Sequence, residues 1–244
     1  MESQPPTRAI VLAAGRGQRL MPHTATVPKP LLPVGGRPML GSLLDALVAS
    51  GVREVCLVIG YLGEQIQAYA GDGSAWDLQI SYRRQERRRG TADALRQAAD
   101  FLSAPSFLLA ADYVLPPDYL RQLKRAYLAT ERQLAVNLRP LRPGEAASRS
   151  SVRFDERGEI VAIVEKPTPG HAPSAVGATL IYIVPPEIRG YLDAIPLSRR
   201  GEYELTSVFN QMLADGYRFT AVLQPAPVEW SPPEGDGRGK PAGS

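Results

Sequence analysis

The chain has 244 residues, 44% of them hydrophobic, and a net charge of +3, enough for one large α/β domain or a domain with a small appendage. One cysteine excludes a disulfide framework, and the mild positive excess does not by itself mark a nucleic-acid binder. No window is apolar enough to span a membrane, and the opening MESQPPTR lacks the apolar stretch of a signal peptide, so a soluble cytoplasmic protein is expected, with no membrane or nucleic-acid partner.

Taken in order, strand-like and helix-like segments alternate through the first half. Ala9–Ala14 is a short apolar run suited to a buried parallel strand. Pro38–Ser50 carries apolar residues at helical spacing, with Gly51 as its stop. Glu54–Ile59 is a second strand, and its Cys56 reads as a core thiol. Glu64–Tyr69 is a short helix and Leu78–Arg83 a third strand. Thr91–Leu102 reads as a helix with Thr91 at its N-cap. Phe107–Ala111 is a strand ending at Asp112, Pro117–Ala129 a helix and Gln133–Leu138 a strand. This rhythm predicts an α/β fold, a doubly wound, mostly parallel sheet with helices on both faces.

The second half reads differently. Val152–Phe154 and Ile160–Glu165 flank a turn at Asp155-Glu156-Arg157-Gly158, the pattern of a hairpin. Ala178–Val184 and Arg218–Leu223 are strands, and Pro186–Leu192 and Leu205–Ala214 helices. From Gln224 the sequence PAPVEWSPPEGDGRGKPAGS is too rich in proline and glycine to bury much apolar area. The expected organisation is one domain over 1–224, with a first half to about 139 and a second half from about 140, followed by a partly disordered tail over 225–244.

The stretch with most chemistry runs from the first strand to Leu40: AIVLAAGRGQRLMPHTATVPKPLLPVGGRPML. Gly15 and Gly17 follow the strand, where glycines let backbone N–H groups approach an anion. Arg16, Arg19 and Lys29 follow, with Pro28 and Pro30 framing the lysine, a set of cations suited to a polyphosphate. The spacing matches neither a Walker loop nor a dinucleotide fingerprint, which needs a third glycine where Leu20 stands.

The segment LAAGRGQRL…PKPLLPVGGRPM resembles the signature of sugar-1-phosphate nucleotidyltransferases, with Gln18 where that family usually has threonine. The resemblance implies a Rossmann-like nucleotidyltransferase fold and coupling of an NTP with a sugar 1-phosphate. It puts Leu12, Ala13, Ala14 and Gly15 against the nucleotide, Arg19 on its phosphates, and Lys29 between nucleotide and sugar phosphates. Gln85, Gly90 and Thr91 match a base-reading Gln-x-x-x-x-Gly-Thr segment, which favours UTP or dTTP. Asp112 matches the family's magnesium ligand, although Ala111 replaces the usual preceding glycine. Glu165-Lys166-Pro167 matches a sugar-binding Glu-Lys-Pro, with Lys166 on the sugar phosphate, and Arg200 opens another phosphate-approaching segment in which Ser207 replaces an aspartate.

The chemistry asks for little else. A sugar phosphate oxygen is already ionised, so cations, backbone donors and Mg²⁺ matter more than a general base. The two histidines, His23 and His171, offer no triad. Arg83, Arg84, Arg87, Arg88 and Arg89 crowd the segment before Gly90, a position that favours nucleotide phosphates. Departures collect on the acceptor side. Ser151 stands near the family's sugar-contacting glycine, Ala178 and Leu180 fall where Asn-x-Gly is usual, and Trp230-Ser231-Pro232 replaces Trp-x-Asp, with Glu229, Glu234 and Asp236 nearby. Two further readings follow: a binding module that holds nucleotide without turnover, and a transferase on a non-sugar phosphate such as phosphocholine. The acceptor and the oligomeric state, including a homo-oligomer, stay open.

Overall fold

The computed structural model describes residues 4–232. Its centre is strand β1 (Arg8–Ala13), whose sequence RAIVLA is apolar on both faces. That suits a strand covered on both sides. It pairs in parallel with β4 (Glu54–Ile59) on one flank and β6 (Ser106–Ala110) on the other, with Ile10 opposite both Cys56 and Leu108. Adding β5 (Gln79–Arg84), β7 (Leu134–Pro140), β10 (Val176–Val184) and β11 (Phe219–Leu223) gives a seven-stranded sheet of order β11-β7-β10-β6-β1-β4-β5. Only β10 runs against its neighbours. Two small pairs lie outside the sheet: β2 (Pro33–Val34) with β3 (Arg37–Pro38), and the hairpin β8 (Ser150–Phe154) and β9 (Ile160–Glu165).

Alternation along the strands divides the core into two layers. Ala9 and Val11 of β1 face one layer with helices α1 (Met39–Ala49), α2 (Gly63–Ala70) and α4 (Tyr119–Leu128). Ile10 faces the other, with α3 (Thr91–Gln97), α5 (Leu205–Ala214) and the β8–β9 hairpin. This is the doubly wound, Rossmann-like arrangement the alternation predicts. Leu40, Leu43, Leu44 and Leu47 of α1 are fully buried, each worth about 1.5–3 kcal/mol relative to exposure.

Local differences from the sequence reading have physical reasons. Helix α3 stops at Gln97 and passes into a tighter turn at Ala99–Phe101. Its N-cap is Gly90, and the Thr91 hydroxyl instead accepts a hydrogen bond from the Leu205 N–H at 3.1 Å. The segment Pro186–Tyr191, with proline and glycine inside it, forms only 3₁₀ turns rather than an α-helix. β7 and β11, from either side of the expected boundary near Pro140, pair in parallel within one sheet. Within residues 224–232, Gln224 N–H donates to Leu138 O and Val228 bridges to Val114, while much of the segment stays exposed. The expected disorder at the tail's end, and Glu234 and Asp236, lie outside the described residues. No helix among the described residues is long and apolar enough to cross a membrane.

Candidate active site

A cleft of about 370 Å³ opens beyond the carboxyl ends of β1 and β6, where open α/β sheets bind their ligands. Leu12, Ala13, Ala14 and Gly15 supply its floor from the end of β1, with Lys29 and Asp112 on its wall. Gly17 has φ of +65°, and a side chain there would press on Thr24, whose hydroxyl donates to Gly17 O at 2.9 Å. That bond fixes the turn leading towards Lys29. The Lys29 ammonium is ion-paired with the Asp112 carboxylate, and both side chains keep some exposure, 20% and 27%. They are therefore covered but reachable by an incoming polyanion.

Gln85, Gly90 and Thr91 line the same cleft, joined by Arg88. Gly90 has φ of +115°, and an added Cβ would run into the Tyr203 backbone. Tyr203 N–H donates to Arg89 O at 2.7 Å and Ala92 N–H to Tyr203 O at 2.9 Å. The loop before α3 is thus strapped to the chain at 203. Gln85 is buried, and its amide nitrogen donates to Gly90 O at 3.1 Å and to Asp93 at 2.8 Å.

A second cavity of about 200 Å³ adjoins the first, with Thr91, Leu180 and Glu202 lining both. It holds Arg139, Arg149, Lys166 and Arg200 against Glu165, Glu202, Glu204 and Glu229. Arg149 meets Glu229 at 2.6 Å, and Arg200 meets Glu204 at 2.8 Å and Glu202 at 3.0 Å. Lys166 has φ of +42°, uncommon outside glycine; its N–H donates to Arg149 O at 2.9 Å, which holds the turn. Burial pushes the Glu165 carboxyl above the usual glutamate range, and Lys166 at 3.7 Å only partly offsets this. Burial likewise raises the Tyr113 hydroxyl, with Asp112 adding to the effect.

Two expected site residues lie elsewhere. Arg19 is on the exposed 3₁₀ turn Gln18–Leu20 and lines neither cavity. Ser151 is fully buried, its hydroxyl donating to Ser174 O at 2.8 Å. Strand parity puts Ser150 on the cavity wall instead, bonded to Ala178 O at 2.8 Å. Arg16 lies over the Tyr61 ring rather than in the cleft, and the His23 ring is 4.9 Å from Trp230. Glu229 is tied to Arg149, not to Asp112. The sequence reading missed Asp93, Arg139, Arg149 and Glu204. Arg149 could have been found from its place at the entry to β8; nothing local flags Asp93.

Comparison with known proteins gives a family match over residues 8–231, to the model described as "Nucleotidyl transferase". A glucose-1-phosphate thymidylyltransferase of Streptomyces griseus is 32% identical, covering 86% of this chain and 58% of the relative. A CMP-5'-(3-aminopropyl)phosphonate synthase of Streptomyces rubellomurinus is 38% identical, over 66% of this chain and 25% of the relative. The chain thus spans little more than half of the first relative's length. A crystal structure of UDP-glucose pyrophosphorylase complexed with UDP-glucose superposes with a TM-score of 0.78 at 21% identity, covering 89% of this chain and 90% of that one.

Proposed function

The chain belongs to the nucleotidyl transferase family, and from that premise we propose that it transfers a nucleoside monophosphate from UTP or dTTP to a sugar 1-phosphate. The observation that carries this reading is the Lys29–Asp112 pair in a glycine-lined cleft that adjoins a second cavity lined by paired cationic and acidic side chains, Lys166 and Arg200 among them. The triphosphate lies along the backbone of Ala13–Gly15, with the base towards Gln85 and Gly90. The acceptor phosphate meets Lys166 and Arg200. One of its oxygens attacks the α-phosphorus, the bond to the β-phosphate breaks, and pyrophosphate leaves with the electron pair. Lys29 turns from Asp112 to the phosphates and stabilises charge spreading over them.

The donor set fits Mg²⁺. Among the described residues no cluster of three or more metal-binding side chains exists, but magnesium commonly takes one or two carboxylates and completes its shell with phosphate oxygens and water. Asp112 is such a hard ligand, set free when Lys29 moves. Bound there, the ion would neutralise charge on the triphosphate.

The test is pyrophosphate release from UTP, dTTP or CTP with Mg²⁺ and a panel of sugar 1-phosphates. Release with a uracil or thymine nucleotide and a sugar phosphate supports the proposal. Tight nucleotide binding without release from any acceptor would leave a binding module. A second reading, a non-sugar phosphate or phosphonate acceptor, is favoured by the small size of the second cavity, about 200 Å³, and by the phosphonate-named relative. Release restricted to such acceptors would establish it.

A further inference from the structure

Resting on the uracil or thymine reading above, we propose that Asp93 is a positioning residue that fixes which end of the Gln85 amide meets the base. The cleft thereby favours a pyrimidine whose ring nitrogen carries hydrogen, uracil or thymine, over cytosine, whose N3 is bare.

Gln85 and Asp93 are 6% and 5% exposed. Two partners face the Gln85 amide from inside the protein, Gly90 O at 3.1 Å and Asp93 Oδ2 at 2.8 Å. A carbonyl and a carboxylate only accept, so the atom turned to them is the nitrogen, and both its hydrogens are committed. What remains is the carbonyl Oε1, on a residue that lines the cleft; among the described residues nothing donates to it. Turning the amide over would set Oε1 against two acceptors and forfeit both bonds. Asp93 is itself held: its Oδ1 receives the Arg96 guanidinium at 2.6 Å, and Arg96 lies over the Tyr203 ring at 5.6 Å.

Gln85 is therefore an acceptor towards the base. Uracil and thymine offer N3–H to it, whereas cytosine brings a lone pair against a lone pair. An ordinary helix-surface ion pair three residues apart would leave its carboxylate in water. Here the carboxylate is buried, and its other oxygen is spent on a cleft residue.

The experiment measures dissociation constants of UTP, dTTP and CTP by calorimetry, without acceptor, for wild type, Asp93→Asn, Gln85→Met and the double variant. In Asp93→Asn, Arg96 claims the remaining oxygen and the new amide nitrogen meets Gln85 Nε2, donor to donor. The preference for UTP and dTTP over CTP should fall at least fivefold, mainly through weaker UTP and dTTP. In the Gln85→Met background the same substitution should change the ratio less than twofold, because its effect travels through Gln85. An unchanged ratio in folded Asp93→Asn, or an equal shift in both backgrounds, overturns the proposal. If Asp93→Asn does not fold, Arg96→Gln, which loosens the carboxylate without removing it, should shift the ratio in the same direction; no shift overturns it equally. Wild-type preference for CTP would instead remove the uracil or thymine reading itself, whereas wild-type preference for UTP or dTTP with an unmoved variant ratio removes this inference alone.

Discussion

Lys29 and Glu165 illustrate two opposite ways a charged residue can serve a site. Lys29 is satisfied in the free protein by Asp112 and has only to exchange partners. Lys29→Ala should lower kcat/KM by about 10²–10³ while the melting temperature moves little, as the paired carboxylate keeps access to water; unchanged turnover would show that the wrong site has been identified. Glu165 is under-satisfied, its carboxyl raised by burial. A group held above its ordinary pKa binds its proton more tightly when folded. Its stabilising effect is complete below the unfolded value of about 4.3 and disappears as pH rises through the raised value. Glu165→Gln should flatten the melting temperature across that window and raise it at neutral pH by about 2 °C, while acceptor KM worsens. A melting profile as steep as wild type's would reject this. At this scale the sequence was partly legible. Lys29 was readable because two prolines and the glycines frame it at fixed spacing. Which way Ser151 faces is not legible locally, because facing depends on strand parity, and one residue's shift turns a side chain from the cavity into the core. Nor is the outward direction of Arg19 legible, because it depends on the turn from Gln18 to Leu20.

The strands and most helices were legible because their apolar runs are bounded by glycine, proline or polar turns. What escaped was the contact between α3 and the chain far downstream. Thr91 looks like a cap in sequence, yet its hydroxyl serves Leu205; only tertiary structure can redirect it. This strap gives a prediction for Gly90. Gly90→Ala combines a φ of +115° with a collision against Tyr203, so it should destabilise the protein by about 1–3 kcal/mol and weaken nucleotide binding at least tenfold, read by denaturant melts and calorimetry. By contrast Leu43→Ala, in the fully buried face of α1, should cost about 2–5 kcal/mol with nucleotide affinity unchanged in the fraction that stays folded. If both variants behaved alike, the strap would have no special bearing on the cleft.

For the whole molecule, the single sheet explains why the two cavities hold a fixed relation. β10 is hydrogen-bonded to both β6 and β7, so the strand that carries Leu180 and Ala178 is braced by the strand that ends near Asp112. Residues 224–232 close this arrangement from outside, through Val228 on Val114 and Glu229 on Arg149. Ending the chain after Gln224 should lower the melting temperature and raise the acceptor KM several-fold more than the nucleotide KM; equal effects on both would argue against a role confined to the acceptor side. The composition of this segment does not reveal its anchoring, which depends on hydrogen bonds at Gln224, a bridge at Val228 and an ion pair at Glu229 rather than on a run of apolar residues.

Thr91, Leu180 and Glu202 form a party wall between two rooms, and the strap through Tyr203 decides how that wall can be rebuilt. Anyone grafting a foreign cargo preference onto this scaffold must recast the β8 entry around Arg149 and Ser150 together with its partners Lys166, Glu229 and Ala178. The stretch from Arg200 to Leu205 is bound in the same way: it is stitched to residues 89–92 and must travel with them. A chimaera that exchanges both inherits its donor's appetite whole, while one that exchanges either alone inherits a torn seam.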